Sequence, residues 1–210
     1  MTSGTTSAAR AASDAALHPL LADRWSPRAF DPDAELDAPL LERLLEAARW
    51  SPSAANLQPW RFAVAVRGSA EHAALVATLS GNNAVWAPDA SVLLLVAADH
   101  SVAGGRGRRW AAFDAGQALA HLTVQAAAEG VAVHTMGGFD VDAVRALYAL
   151  GADVDPLAVV ALGRQGDAGR LPEPLREREG ALRERRPLPE LLLAPLGKGT
   201  GEDTGEDTAA

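Results

Sequence analysis

The segment Ser91–Ala98, SVLLLVAA, is apolar at almost every position. A strand with one wet face alternates apolar and polar residues. An unbroken apolar run reads instead as a strand buried on both faces, so a layer must cover each side of its sheet. Neighbouring segments offer such layers. Asp37 is a suitable N-cap for a helix reaching Trp50, whose apolar stripe is Leu40, Leu41, Leu44, Leu45 and Ala48. RFAVAV (61–66), VAVHT (131–135) and LAVVALG (157–163) read as further strands, with helical stretches at 15–22, 71–79 and 141–150. Residues 110–129 are apolar or small on nearly every face, apart from Gln117, His121 and Gln125 spaced by four, and Gly130 follows as a C-cap. A helix apolar all round is expected to be buried, either as a central core helix or with a subunit interface added. Its alanines and Gly116 would let another helix approach closely. The pattern is α/β or α+β, with helices on a small sheet.

The 210 residues suit one domain, large enough to need no disulfide or metal. The chain has no cysteine, which removes thiolate nucleophiles, Fe–S ligation and cysteine zinc sites. A formal net charge of −8 gives no basic field of the kind nucleic-acid binders need. Residues 164–186 are a local exception, with seven Arg against five acids. No apolar run is long enough to span a bilayer, and the Ala/Ser/Thr-rich start lacks the apolar core of a signal peptide. The expectation is a cytoplasmic protein, with a disordered lead over 1–16, a domain over 17–196 and a disordered acidic tail over 197–210.

Three segments could carry chemistry. Arg24-Trp25-Ser26-Pro27-Arg28 offers two guanidiniums and a hydroxyl, a compact anion site if the arginines are not merely solvated or salt-bridged. Residues 51–60, SPSAANLQPW, form a Pro-bounded loop presenting Ser53, Asn56, Gln58 and Trp60. Asn and Gln pair donor with acceptor, which suits the edge of a heterocycle, although such a loop can also be an ordinary turn. In TMGGFD (135–140), Gly137 and Gly138 permit close backbone approach to a ligand. Gly104–Gly107 matches no nucleotide-binding pattern and reads as a loop. The five histidines show no metal-ligand spacing. His134 reads as a satisfied core or surface histidine, with a pocket-lining role as the alternative. No Gly-x-Ser-x-Gly elbow is present.

Taken in order, RWSPRAFDP (24–32), ARWSPSAANLQPWRF (48–62), FDAGQALAHLTVQAAAEGV (113–131) and MGGFD (136–140), followed by an Arg-rich close, resemble the FMN-dependent nitroreductase family. The likeness spans about residues 17–188. It implies an α+β fold with a central mixed or antiparallel sheet flanked by helices, in an intertwined homodimer with C-terminal arms embracing the partner. It also implies FMN bound at the subunit interface. By position, Arg24, Trp25 and Ser26 would lie along the phosphate and ribityl chain, and Arg28 at the N1/O2 edge of the isoalloxazine. Pro52, Ser53 and Asn56 would come from the other subunit. Asn83 would contact the pyrimidine ring, Gly137 and Gly138 would offer N–H groups near N5/O4, and Arg183 and Arg185 would close on the phosphate. Ala54, His121 and Gly137 depart from residues common in the family, and the segment between Ala98 and Arg108 is short, which predicts a reduced lid over the substrate.

The activity so implied is an NAD(P)H oxidoreductase in which hydride passes through flavin N5 to a nitroaromatic, quinone or similar electrophile by a ping-pong cycle. It calls for no protein nucleophile and no metal, and Arg28 would tune the flavin. Alternatives are an FMN-dependent dehydrogenase tailoring a peptide or natural product, flavin fragmentation, and a non-catalytic flavin-binding protein.

Overall fold

A computed structural model describes residues 13, 15–103 and 108–195. Except for residues 13, 15 and 16, the expected lead lies outside that range, as do the acidic tail and the Gly104–Gly107 loop. The apolar run forms β2 (Val92–Asp99), in which every residue is buried. It lies between β1 (Trp60–Val66) and β4 (Val154–Gly163), and β3 (Ala132–Met136) pairs with the far side of β4, giving the order β1-β2-β4-β3. All pairings are antiparallel, so the mixed alternative is excluded.

Both faces of this sheet are covered, as the run requires. Val92, Leu94, Val96 and Ala98 point to one face and meet α2 (Ala38–Arg49) and α5 (Arg108–Ala128) through Leu40, Leu44, Ala115, Ala118 and Leu122. Leu93 and Leu95 point to the other, with Val159 and Ala161 of β4. There they meet Leu75 of α3 (Ala70–Ala77), Trp86 of α4 (Asn83–Trp86) and Val144 of α6 (Val141–Leu147). The result is a three-layer α+β architecture. The period-two alternation of side chains divides one apolar strand between two cores.

Local signals explain most element ends. Asp37 Oδ1 accepts the Leu40 N–H at 2.8 Å and starts α2. The first helix, α1 (Pro19–Asp23), begins four residues later than expected, because Pro19 sits in its first turn and His18 caps it through Nδ1. α5 ends at Ala128 and the chain turns at Gly130, whose φ is +68°, while Arg164 Nη1 donates to the Glu129 carbonyl at 2.6 Å. After β4 the chain forms α7 (Glu173–Glu179), with Leu171 and Leu175 buried.

The expected all-round burial of α5 is half realised. Ala111, Ala115, Ala118, Leu122 and Ala126 are buried, whereas Phe113 is 60 % exposed and Gly116 and Ala120 also face outward. The physical reason is that α2 and the sheet cover one side of the helix, and no described segment of the chain covers the other.

His72 on α3 and His134 on β3 both have pKa values lowered from 6.5, mainly by burial. The unfolded chain therefore binds protons that the folded chain excludes, so these groups stabilise the fold above about pH 6.5 and that contribution is lost as pH falls below it. Thermal melts between pH 7.5 and 5 should show a fall in melting temperature that is smaller in His134→Gln, and a slope identical to wild type would refute the assignment.

Candidate functional site

The site begins where α1 ends. Pro27 is buried, and Ala29 and Asp31 join the exit of β4, with Gly166 N–H donating to the Ala29 carbonyl at 2.8 Å and Asp31 N–H to the Arg164 carbonyl at 3.0 Å. The loop carrying Arg24, Trp25, Ser26 and Arg28 is thus tied to the sheet. His134 holds it from the side, with Nδ1 2.9 Å from the Pro27 carbonyl and its ring 4.4 Å from that of Trp86. Burial lowers the His134 pKa first, opposed by the hydrogen bond to Pro27 and assisted by the nearby Arg28 charge. A neutral imidazole donating from Nδ1 fits this geometry. The histidine is therefore satisfied, as expected, and it also braces a candidate ligand loop.

Arg24, Arg183 and Arg185 converge. Burial and the two neighbouring guanidiniums lower the pKa of Arg24. Arg183 Nη1 donates to the Ala22 carbonyl at 2.7 Å, which anchors the segment after α7 beside α1. Among the described residues no carboxylate pairs with any of the three. Together with Arg186, Leu17, Leu21, Leu188 and Leu191 they line a groove of about 640 Å³. On the other side of Arg24, a cavity of about 290 Å³ is bounded by Trp25, Pro27, Thr123, Ala127 and Gln165. Three like charges brought together without a counter-charge repel, and the arrangement suits an anion with several acceptor oxygens.

Arg28 has a partner that the sequence reading missed. Glu179, the last residue of α7, places Oε2 3.6 Å from Arg28 Nη1 and accepts the N–H groups of Arg28 and Ala29. The only sequence signal is its position in the REREG run, which otherwise reads as a solvated charged face.

Asn83 and Gly138 also meet. Asn83 Nδ2 donates to the Gly138 carbonyl at 3.2 Å, and a Cβ at Gly138 would lie 2.9 Å from that nitrogen. Gly137 is exposed, with nothing near its missing Cβ.

Pro52, Ser53 and Asn56 lie elsewhere. Their loop is a short 3₁₀ turn with positive φ at Ala55, Asn56 and Gln58. Ser53 Oγ accepts the Gln58 N–H at 3.0 Å, and buried Asp114 of α5 accepts the Ala54 N–H at 3.0 Å. Asp114 lies nine to thirteen residues before Thr123 and Ala127, which border the Arg24 cavity. At 1.5 Å per residue that is about 14–20 Å along the helix. The loop and the Arg24 cavity therefore lie toward opposite ends of α5.

The family model described as "Nitroreductase family" matches residues 21–85 and 70–164. An FMN-containing oxidoreductase of known structure is 36 % identical, with a TM-score of 0.78 over 90 % of this chain and 96 % of its own. A structure from Desulfovibrio desulfuricans, described as a nitroreductase in complex with FMN, is 25 % identical, with a TM-score of 0.68 over 87 % of this chain and all of its own. An uncharacterised 15.4 kDa protein of Mycolicibacterium smegmatis is 42 % identical over 108 residues, covering 51 % of this chain and 72 % of its own. On the extent of the family match, the fold and the order of its segments, the chain belongs to the Nitroreductase family.

Proposed function

We propose that the protein is an FMN-dependent NAD(P)H oxidoreductase that works as a homodimer and reduces a nitroaromatic, quinone or related electrophile. The observation that carries this reading is the convergence of Arg24, Arg183 and Arg185 without a carboxylate partner among the described residues. A phosphate dianion fits that donor set: forked N–H groups match its oxygens, and its charge relieves the repulsion. When bound, FMN supplies the reversible hydride exchange between the nicotinamide and the acceptor.

The chain's own part is to bind, orient and tune. Arg24, Arg183 and Arg185 would hold the phosphate, while Trp25 and Ser26 would follow the ribityl chain. Arg28 would meet the pyrimidine edge, where its positive charge would favour the reduced, anionic ring. Asn83 and the backbone of Gly137 and Gly138 line the same end. Pro52, Ser53 and Asn56 lie toward the other end of α5 from the Arg24 cavity, which supports a second copy as their source. The outward Phe113, Gly116 and Ala120 offer a small, apolar face for that contact.

The purified protein should release FMN and bleach on anaerobic addition of NADH or NADPH. A colourless protein that takes up no FMN would remove the reading, and a flavin that NAD(P)H leaves oxidised would favour a dehydrogenase or an inert binder. Arg24→Ala should weaken FMN binding by roughly 1.5–3 kcal/mol, or about 10- to 150-fold, measured by fluorescence titration. A Cβ at Gly116 meets nothing within the subunit. Gly116→Glu should therefore leave the monomer folded yet shift light scattering from dimer to monomer and abolish FMN binding; an intact dimer would place the interface elsewhere.

A further inference from the structure

Glu179 has no role in the assignments above, yet its side chain is only 3 % exposed and its oxygens are fully engaged. Oε1 accepts the N–H of Arg28 at 2.8 Å and of Ala29 at 2.9 Å, while Oε2 lies 3.0 Å from the Arg28 nitrogen and 3.6 Å from Arg28 Nη1. A buried carboxylate is costly unless charge and hydrogen bonds compensate it, and here one residue, Arg28, supplies most of both. The next turn of chain leads directly to Arg183 and Arg185. One carboxylate thus joins the segment carrying two phosphate ligands to the loop carrying Arg24 and Arg28.

We propose that Glu179 is a positioning residue with two effects: it clamps the Arg28 backbone against α7, and its negative charge offsets the Arg28 guanidinium, which lowers the preference of the site for reduced over oxidised FMN. The proposal rests on the FMN reading. Two-electron reduction leaves negative charge at the N1/O2 edge of the isoalloxazine, so a lone Arg28 cation would favour the reduced form. An Arg28 cation shared with Glu179 favours it less. Glu179 touches neither the cofactor position nor a substrate in this account and acts through Arg28.

Two variants separate the effects. Glu179→Gln keeps an acceptor oxygen for the two amides and removes the charge; Glu179→Ala removes both. In FMN-free protein, amide hydrogen exchange at Arg28 and Ala29 should stay slow in Glu179→Gln and become fast in Glu179→Ala. In FMN-loaded protein, Glu179→Gln should raise the ratio of reduced to oxidised flavin affinity about tenfold, seen as a midpoint potential about 30 mV more positive. A purely structural role would leave that potential where it was. Unchanged potential in Glu179→Gln overturns the charge offset while leaving the cofactor reading intact, and unchanged amide exchange in Glu179→Ala overturns the clamp. If the wild-type protein takes up no FMN, the cofactor reading and the charge offset fall together, and amide exchange alone still judges the clamp.

Discussion

Burial of both faces of β2 is the constraint from which the rest of the architecture follows. Eight consecutive residues without a wet face need a layer above and a layer below, and the alternation of side chains sends even positions to α2 and α5 and odd positions to α3, α4 and α6. Sheets buried on both faces are commonly parallel, because crossover helices then cover them. Here the same cover is achieved with antiparallel pairings, since helices rather than tight turns connect β1 to β2, β2 to β3 and β3 to β4. The apolar interior leaves the ends of strands and helices as the places where polar chemistry can collect, and the candidate site forms there.

That site is organised by unequal treatment of its cations. Arg24, Arg183 and Arg185 are gathered without a carboxylate partner among the described residues, so they suit a ligand that brings its own charge. Arg28, a few residues away, is instead paired with a buried carboxylate. One loop therefore presents a strongly positive end and a moderated end. A phosphorylated flavin is asymmetric in the same sense, with a dianion at one end and a ring that gains charge only on reduction at the other. His134 and the pairing of Ala29 and Asp31 with the exit of β4 keep the loop in place between them.

α5 links the fold to the proposed assembly. Its inner face completes the core, while Phe113, Gly116, Ala120 and His121 face outward. The Pro52–Asn56 loop is fixed at one end of it and the Arg24 cavity lies toward the other. In the proposed dimer, that separation would make a second copy part of the binding site. The left-handed turn at Ala55, Asn56 and Gln58, held through Asp114, gives that loop a defined shape within the single chain.

Much of this was legible in the residues. The period of the apolar positions placed the strands and most helices to within a few residues, because burial of alternate or every-fourth side chains is a local property of the chain. Asp37 and Gly130 marked helix ends for equally local reasons, and the order of the motifs pointed to the Nitroreductase family. Other features depended on distant segments. Exposure of one side of α5 follows from how many neighbours pack on it, which its own composition does not encode. The Arg28–Glu179 pair joins positions 151 residues apart, and Glu179 sits in a run whose charges look solvated. Periodicity and caps are written in neighbouring residues, whereas the pairing of a charge is decided only when the folded chain brings its partner near.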